Sequence, residues 1–132
     1  MLLDKDKIQK ITLFENLTNS KVKDFLEDEK LIIIVENGEI GKAVGRQGKN
    51  IRMIEGMMHK RLKVIEFNND PLIFIKNFIY PLKVEAKLNN DVVEIKSDDR
   101  KTKGLLIGRN ARNLNELNNL VKSYYNLTIK IL

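Results

Sequence analysis

Residues 44–51 read VGRQGKNI: two glycines, Gly45 and Gly48, enclose Arg46 and Gln47, with Lys49 and Asn50 directly after. Residues 107–114 read IGRNARNL, which sets Gly108, Arg109, Asn110, Ala111 and Arg112 in nearly the same order. Glycine admits positive φ and lets a second backbone come close. A helix starting near Lys49 would point its unpaired N–H groups, and the positive end of its dipole, back at the turn. Arg46, Lys49 and Arg52 add cations there, with Lys42 just upstream; Lys103, Arg109 and Arg112 do the same in the second copy. The chemistry open to such a group is holding a phosphate against main chain. It is not that of a nucleotide phosphate loop. Ala43 stands where G-x-x-x-x-G-K-[ST] needs its first glycine, and Asn50 where it needs a metal-binding hydroxyl. A lone GxxG is equally a tight helix–helix turn. The second copy tips the reading towards a polyanion.

Charge follows the same two places. Of the net +6, residues 42–63 hold seven Lys/Arg against Glu55 alone, and residues 96–112 hold six against Asp98 and Asp99. The two windows carry +6 and +4, so the remainder of the chain sums to −4. A basic patch around each motif on a slightly acidic scaffold is the electrostatic footprint of a nucleic-acid binder.

Other chemistry finds little support. The chain has no cysteine, which excludes disulfides and thiolate metal sites. His59 is the single histidine, set beside Lys60 and Arg61 with no partner group for general base work, and reads as a surface or capping residue. Asp28-Glu29 and Asp98-Asp99 fall at a turn and a helix start. No spacing suggests a metal site, so no catalysis, metal or cofactor is expected. Met53, Met57 and Met58 read as core. Aromatics are 6% with no tryptophan, which argues against an aromatic base-stacking platform; Tyr124 fits a core stripe, while Tyr125 is open to stacking. The N-terminus MLLDKDKIQK lacks the pattern of a signal peptide, and the run Leu31 to Val35 is too short to span a bilayer. The expectation is a cytoplasmic protein with no membrane partner.

The elements that must position the motifs come from the repeat. A shift of 63 residues lays Gly41 on Gly104, Gly45 on Gly108, Arg46 on Arg109 and Asn50 on Asn113, with Ile51 on Leu114 and Ile54 on Leu117. Two units of about half the chain follow. In the first, a short helix near Ile8, Ile11 and Leu13 precedes a hairpin of KVKDFL and KLIIIVEN. A helix covers Glu39 to Val44, a second is striped by Ile51, Ile54 and Met58, and LKVIEF closes as a strand. In the second, Asp70-Pro71 starts a helix. LKVEAKL and VVEIK form the hairpin, Asp98 or Asp99 caps the next helix, Leu114, Leu117, Val121 and Tyr124 stripe the last, and LTIKIL ends the chain. The fold class is α+β. Ile40 and Val44, just before the first turn, can border a shallow groove for bases.

IGKAVGRQGKNIRMI and KGLLIGRNARNLNEL resemble the signature of KH domains, whose GxxG loop clamps a short single strand by its backbone. Helix–strand–strand–helix–GxxG–helix–strand is the type II order, with a small three-stranded sheet packed by helices. With KITLFENLTNSKVKDF in front and NNDPLIFIKNFIYPLKV at the joint, the whole chain resembles the archaeal NusA-like transcription factors. The resemblance implies KH domains over 1–68 and 69–132 and a role in transcription elongation or termination on nascent RNA. Single-stranded RNA is the implied partner, with RNA polymerase or other transcription proteins beside it. Bacterial relatives add a polymerase-binding domain and an S1 domain, for which 132 residues leave no room. The implied contacts are Lys42, Gly45, Arg46, Gln47, Gly48, Lys49 and Arg52, then Lys103, Gly108, Arg109, Asn110, Ala111 and Arg112. Ala111 departs from the pattern, and its Cβ is expected to constrain the local dihedrals, narrow the space for a sugar-phosphate and weaken the second loop. Two readings stand beside this one: a KH adaptor in RNA processing or ribosome biogenesis, and a protein-docking adaptor without RNA.

Overall fold

Five consecutive apolar residues make the axis of the first unit. In the computed structural model, which describes residues 5–132, helix α1 (Lys5–Thr18) leads into β1 (Val22–Glu27) and β2 (Leu31–Val35). Helices α2 (Ile40–Val44) and α3 (Lys49–Met58) follow, and β3 (Leu62–Glu66) completes a sheet ordered β1-β2-β3. Strand β1 runs antiparallel to β2, and β3 runs parallel to it with Leu31 opposite Leu62. Parallel neighbours need a crossover, and here the crossover is α2, the glycine turn and α3. All five β2 residues are buried, which suits a continuous apolar run, four of it β-branched, rather than an alternating one. Leu31, Ile33 and Val35 join Phe14 of α1, Ala43 of α2 and Ile54 of α3 in one core cluster. The turn is therefore slung between two helices anchored in the same core.

The second unit repeats this order. Helix α4 (Pro71–Ile79), β4 (Glu85–Asn89), β5 (Val92–Lys96), α5 (Arg100–Ile107), α6 (Arg112–Tyr125) and β6 (Thr128–Ile131) form it, with a sheet ordered β4-β5-β6. Again the hairpin is antiparallel and the last strand parallel to the middle one. The Asp70 carboxylate accepts from the Leu72 N–H at 2.9 Å, so the Asp-Pro start works as an N-cap with proline in the first turn. Asp99 rather than Asp98 caps α5: it accepts from the Lys101 N–H at 2.9 Å and the Thr102 hydroxyl at 3.0 Å. Those bonds, the Lys101 N–H first, hold its carboxyl below the ordinary range. Val93 and Ile95 of β5, with Leu117 and Val121 of α6, are buried. The chain divides into two compact units, Met1–Asn68 and Asn69–Leu132.

Two local expectations need correction. The first helix is not short, since α1 runs 14 residues. Its apolar residues are spread around it: Phe14 is buried while Ile8, Leu13 and Leu17 are exposed, so periodicity understates its length. Met57 is not core; it is 51% exposed in the last turn of α3, off the inward line of Ile51, Ile54 and Met58. No helix among the described residues is long and apolar enough to cross a membrane.

A charged knot fastens α1, and the segment just after α3, to the hairpin. Lys10 donates to the Glu27 carboxylate, which also takes Lys60 at 3.0 Å. The Lys10 bond, then the Lys60 bond, holds the Glu27 carboxyl below its ordinary range. A carboxyl so lowered in the folded state stabilises the fold above its unfolded pKa. The gain vanishes as pH falls through the ordinary glutamate value, about 4.3, towards the folded one. Glu27→Gln should lower stability at neutral pH by about 1 kcal/mol or less. Denaturation midpoints from pH 7 to pH 3 should show the variant and wild type converging at the acid end. A constant gap would refute the assignment.

Candidate nucleic-acid interface

The glycine turns are the same object built twice. Helix α2 ends on Gly45, whose N–H donates to the Gly41 carbonyl at 3.0 Å. Gly45 sits at φ 78, ψ 171, a region essentially reserved for glycine. Arg46–Gly48 form a 3₁₀ turn closed by the Gly48 N–H on the Gly45 carbonyl at 3.1 Å, with Gln47 at φ 53, ψ 31 and Gly48 at φ 74, ψ 19. In the second unit Gly108 has φ 76, ψ 172, Asn110 φ 56, ψ 31 and Ala111 φ 59, ψ 23. The missing glycine does not redirect the second loop. Ala111 accepts the left-handed conformation, at about 1 kcal/mol for an L-residue. Its Cβ stands where Gly48 of the first turn has none.

Side chains set the two turns in place. Asn50 Nδ2 donates to the Lys42 carbonyl at 2.9 Å, and Asn113 Nδ2 donates to the Leu105 carbonyl at 3.0 Å. A Cβ built on Gly45 would lie 2.8 Å from Asn50 Nδ2, and one on Gly108 would lie 2.7 Å from Asn113 Cγ. The first glycine of each motif is thus demanded twice, by its φ and by this approach. Neither asparagine was expected to have a role. The recurrence of both at the same 63-residue shift as the glycines was the available signal.

The cations differ among themselves. Arg46 and Lys49 flank the first turn with exposed side chains, as Arg109 and Arg112 do the second. Lys42, one turn earlier on α2, lies 3.7 Å from Glu39, so part of its charge is compensated. Arg52 is exposed, but Nη1 donates to the Gln47 carbonyl, which makes it a brace of the turn as well as a charge beside it. Lys103 is half-buried on α5. Each set gathers within its own unit: Lys42 to Arg52 in the first, Lys103 to Arg112 in the second.

Two further candidates resolve plainly. The Tyr125 ring packs 5.9 Å from Phe74, and burial, with the negative charge of Asp70 adding to it, pushes its hydroxyl above the ordinary phenol range. That ring is committed to α4. His59 is exposed and closes α3 at φ 55, its N–H on the Glu55 carbonyl at 2.9 Å.

No protein-family model matches the chain. Curated archaeal proteins bearing the name probable transcription termination protein NusA do. That of Methanococcus vannielii is 32% identical, the match covering 85% of this chain and 68% of the relative. That of Methanocaldococcus jannaschii is 29% identical over 98% of this chain and 74% of the relative. The Halococcus morrhuae protein is 25% identical over 91% and 89%. Among solved structures, the crystal structure of APE1850 superposes with a TM-score of 0.74 at 23% identity, covering 98% of this chain and all of that one, and shares the fold. Similarity of this extent, over both units and both turns, means that the chain belongs to the archaeal NusA family.

Proposed function

We propose that this chain is a single-stranded RNA-binding factor of transcription elongation and termination, built as two type II KH domains over 1–68 and 69–132. It acts in the cytoplasm by binding nascent RNA, without catalysis or cofactor, and this role would bring it to RNA polymerase or other transcription proteins. One observation carries the reading. Two distant stretches adopt one backbone path, in which a glycine turn flanked by exposed Arg46 and Lys49, or Arg109 and Arg112, leads into a helix start. The element order, with the last strand of each sheet parallel to the middle one, supports the type II assignment. The name shared by the archaeal relatives supports the transcriptional setting.

In this mechanism the sugar-phosphate backbone crosses the turn at Gly48, where the absent side chain admits it. Arg46 and Lys49 neutralise phosphates, with Lys42 and Arg52 as lesser charges. Lys103, Arg109 and Arg112 do this at the second turn. Asn110 and Gln47 sit at the tips in the left-handed conformation, aiming main chain at the strand.

Binding of the wild type to a pool of short single-stranded RNAs across a salt series tests the proposal. A KH loop clamps about four nucleotides, so the log–log slope should be about −2 to −3, at about −0.7 per phosphate neutralised. No binding, or a slope near zero, would rule the clamp out. Ala111→Gly adds a sharper expectation: stability changes by under about 1 kcal/mol, because relieved strain and added chain entropy oppose one another. RNA affinity at the second turn should rise. An unchanged affinity would remove the steric account of the weaker loop.

A further inference from the structure

Both turns are closed by an asparagine that the glycine motif does not contain. Asn50, in the opening turn of α3, reaches back to the Lys42 carbonyl at 2.9 Å, and Asn113 of α6 reaches the Leu105 carbonyl of α5 at 3.0 Å. The last carbonyls of a helix have no partner within it. Each amide therefore satisfies one such oxygen and pins the end of one helix to the start of the next. The glycine before the turn makes room for the contact, since an added Cβ would stand 2.9 Å from Asn50 Cγ and 2.7 Å from Asn113 Cγ. The two residues are the same type, at the same place, bonded to the equivalent carbonyl in both units.

We infer that Asn50 and Asn113 are positioning residues, which fix the direction in which each turn presents its main chain and its arginine, and so set RNA affinity without touching RNA. The inference rests on the RNA-binding reading above. Two effects follow from the geometry. The tie occupies a carbonyl oxygen whose partial negative charge would otherwise repel an arriving phosphate. It also limits the swing of α2 against α3, so the turn is held ready before RNA arrives, and less ordering is left to binding. In the first unit Arg52 adds a second tie, to the Gln47 carbonyl. The same shift places Asn115 at that position in the second unit.

The test compares the wild-type 132-residue chain, Asn50→Ala and Phe25→Leu, the last a core truncation on edge strand β1. Affinity for a labelled short single-stranded RNA is followed across a salt series at a temperature where circular dichroism shows all three folded. Asn50→Ala should bind about tenfold more weakly, the scale of one hydrogen bond removed. Its salt slope should be unchanged, because no phosphate-paired charge has gone. Phe25→Leu should bind as wild type does. In the free protein, the Gly45 and Gly48 amides of Asn50→Ala should exchange hydrogen faster, and Asn113→Ala should do the same for Gly108 and Ala111. Wild type binding with Asn50→Ala equal to it overturns the positioning role alone. So does an equal loss in Phe25→Leu, which would mark general destabilisation. Wild type failing to bind RNA overturns the RNA reading and this role together.

Discussion

Arg46→Asp combined with Gln47→Asp weakens binding of short single-stranded RNA by about 100-fold or more while the protein stays folded. The fold should survive because both side chains are exposed, and Gln47 already occupies the left-handed region at φ 53, which aspartate tolerates better than glutamine does. The Arg52 tie uses the Gln47 main-chain carbonyl, so it survives too. Binding should collapse for two additive reasons. A charge-assisted contact worth about 1.5–3 kcal/mol disappears with Arg46. Two carboxylates then stand where phosphates must pass, a change of three unit charges across two adjacent residues. The salt dependence should flatten by about 0.7 for each phosphate that is no longer neutralised. Fluorescence anisotropy with labelled RNA, beside a circular dichroism melt, reads both parts. Equal binding by the two proteins would reduce the first glycine turn to a fold element and favour the protein-docking alternative.

Gly45→Ala should destabilise the first unit by about 3 kcal/mol, from about 1–3 kcal/mol of backbone strain together with one displaced hydrogen bond. The residue holds φ 78, ψ 171, and an added Cβ would meet Asn50 at 2.8 Å on the side chain and 3.1 Å on its main-chain nitrogen. No rotamer of the new side chain relieves a contact made at Cβ. Gly48→Ala supplies the contrast. There the nearest group is Arg52 Nη1 at 3.4 Å, the end of a flexible side chain, and Ala111 already fills the equivalent place. That variant should cost under about 1 kcal/mol in stability, since backbone strain and lost chain entropy oppose one another, and weaken RNA binding instead. Urea denaturation of both variants separates the two glycines: the first is structural, the second keeps the surface open. Similar stability losses for both would refute this division.

Much of the fold was legible because its signals are local. The run Ile32-Ile33-Ile34-Val35 reads as a buried strand wherever it stands, and Asp70-Pro71 reads as a helix start. The 63-residue shift exposed the repeat because glycine is hard to replace at Gly45 and Gly108. What escaped depends on contacts between elements. The Asn50 tie joins residues eight apart across two helices, a spacing for which no propensity exists. The Arg52 brace is hidden in the same way, and sequence alone made it only a cation. Met57 was misplaced because methionine suits core and surface alike. The tolerance of Ala111 for positive φ could not be read either. Asparagine is the usual occupant here, at four of the seven non-glycine positive-φ positions among the described residues, and alanine gives no such cue.

The central claim is that RNA meets this protein at the first glycine turn. Titrating a short single-stranded RNA into ¹⁵N-labelled protein and following every amide tests it most directly. The Gly45, Arg46, Gln47, Gly48 and Lys49 amides should move first and furthest, with those from Gly108 to Arg112 following at higher RNA. Saturating shifts confined to other surfaces, with the first-turn amides unmoved, would contradict the account.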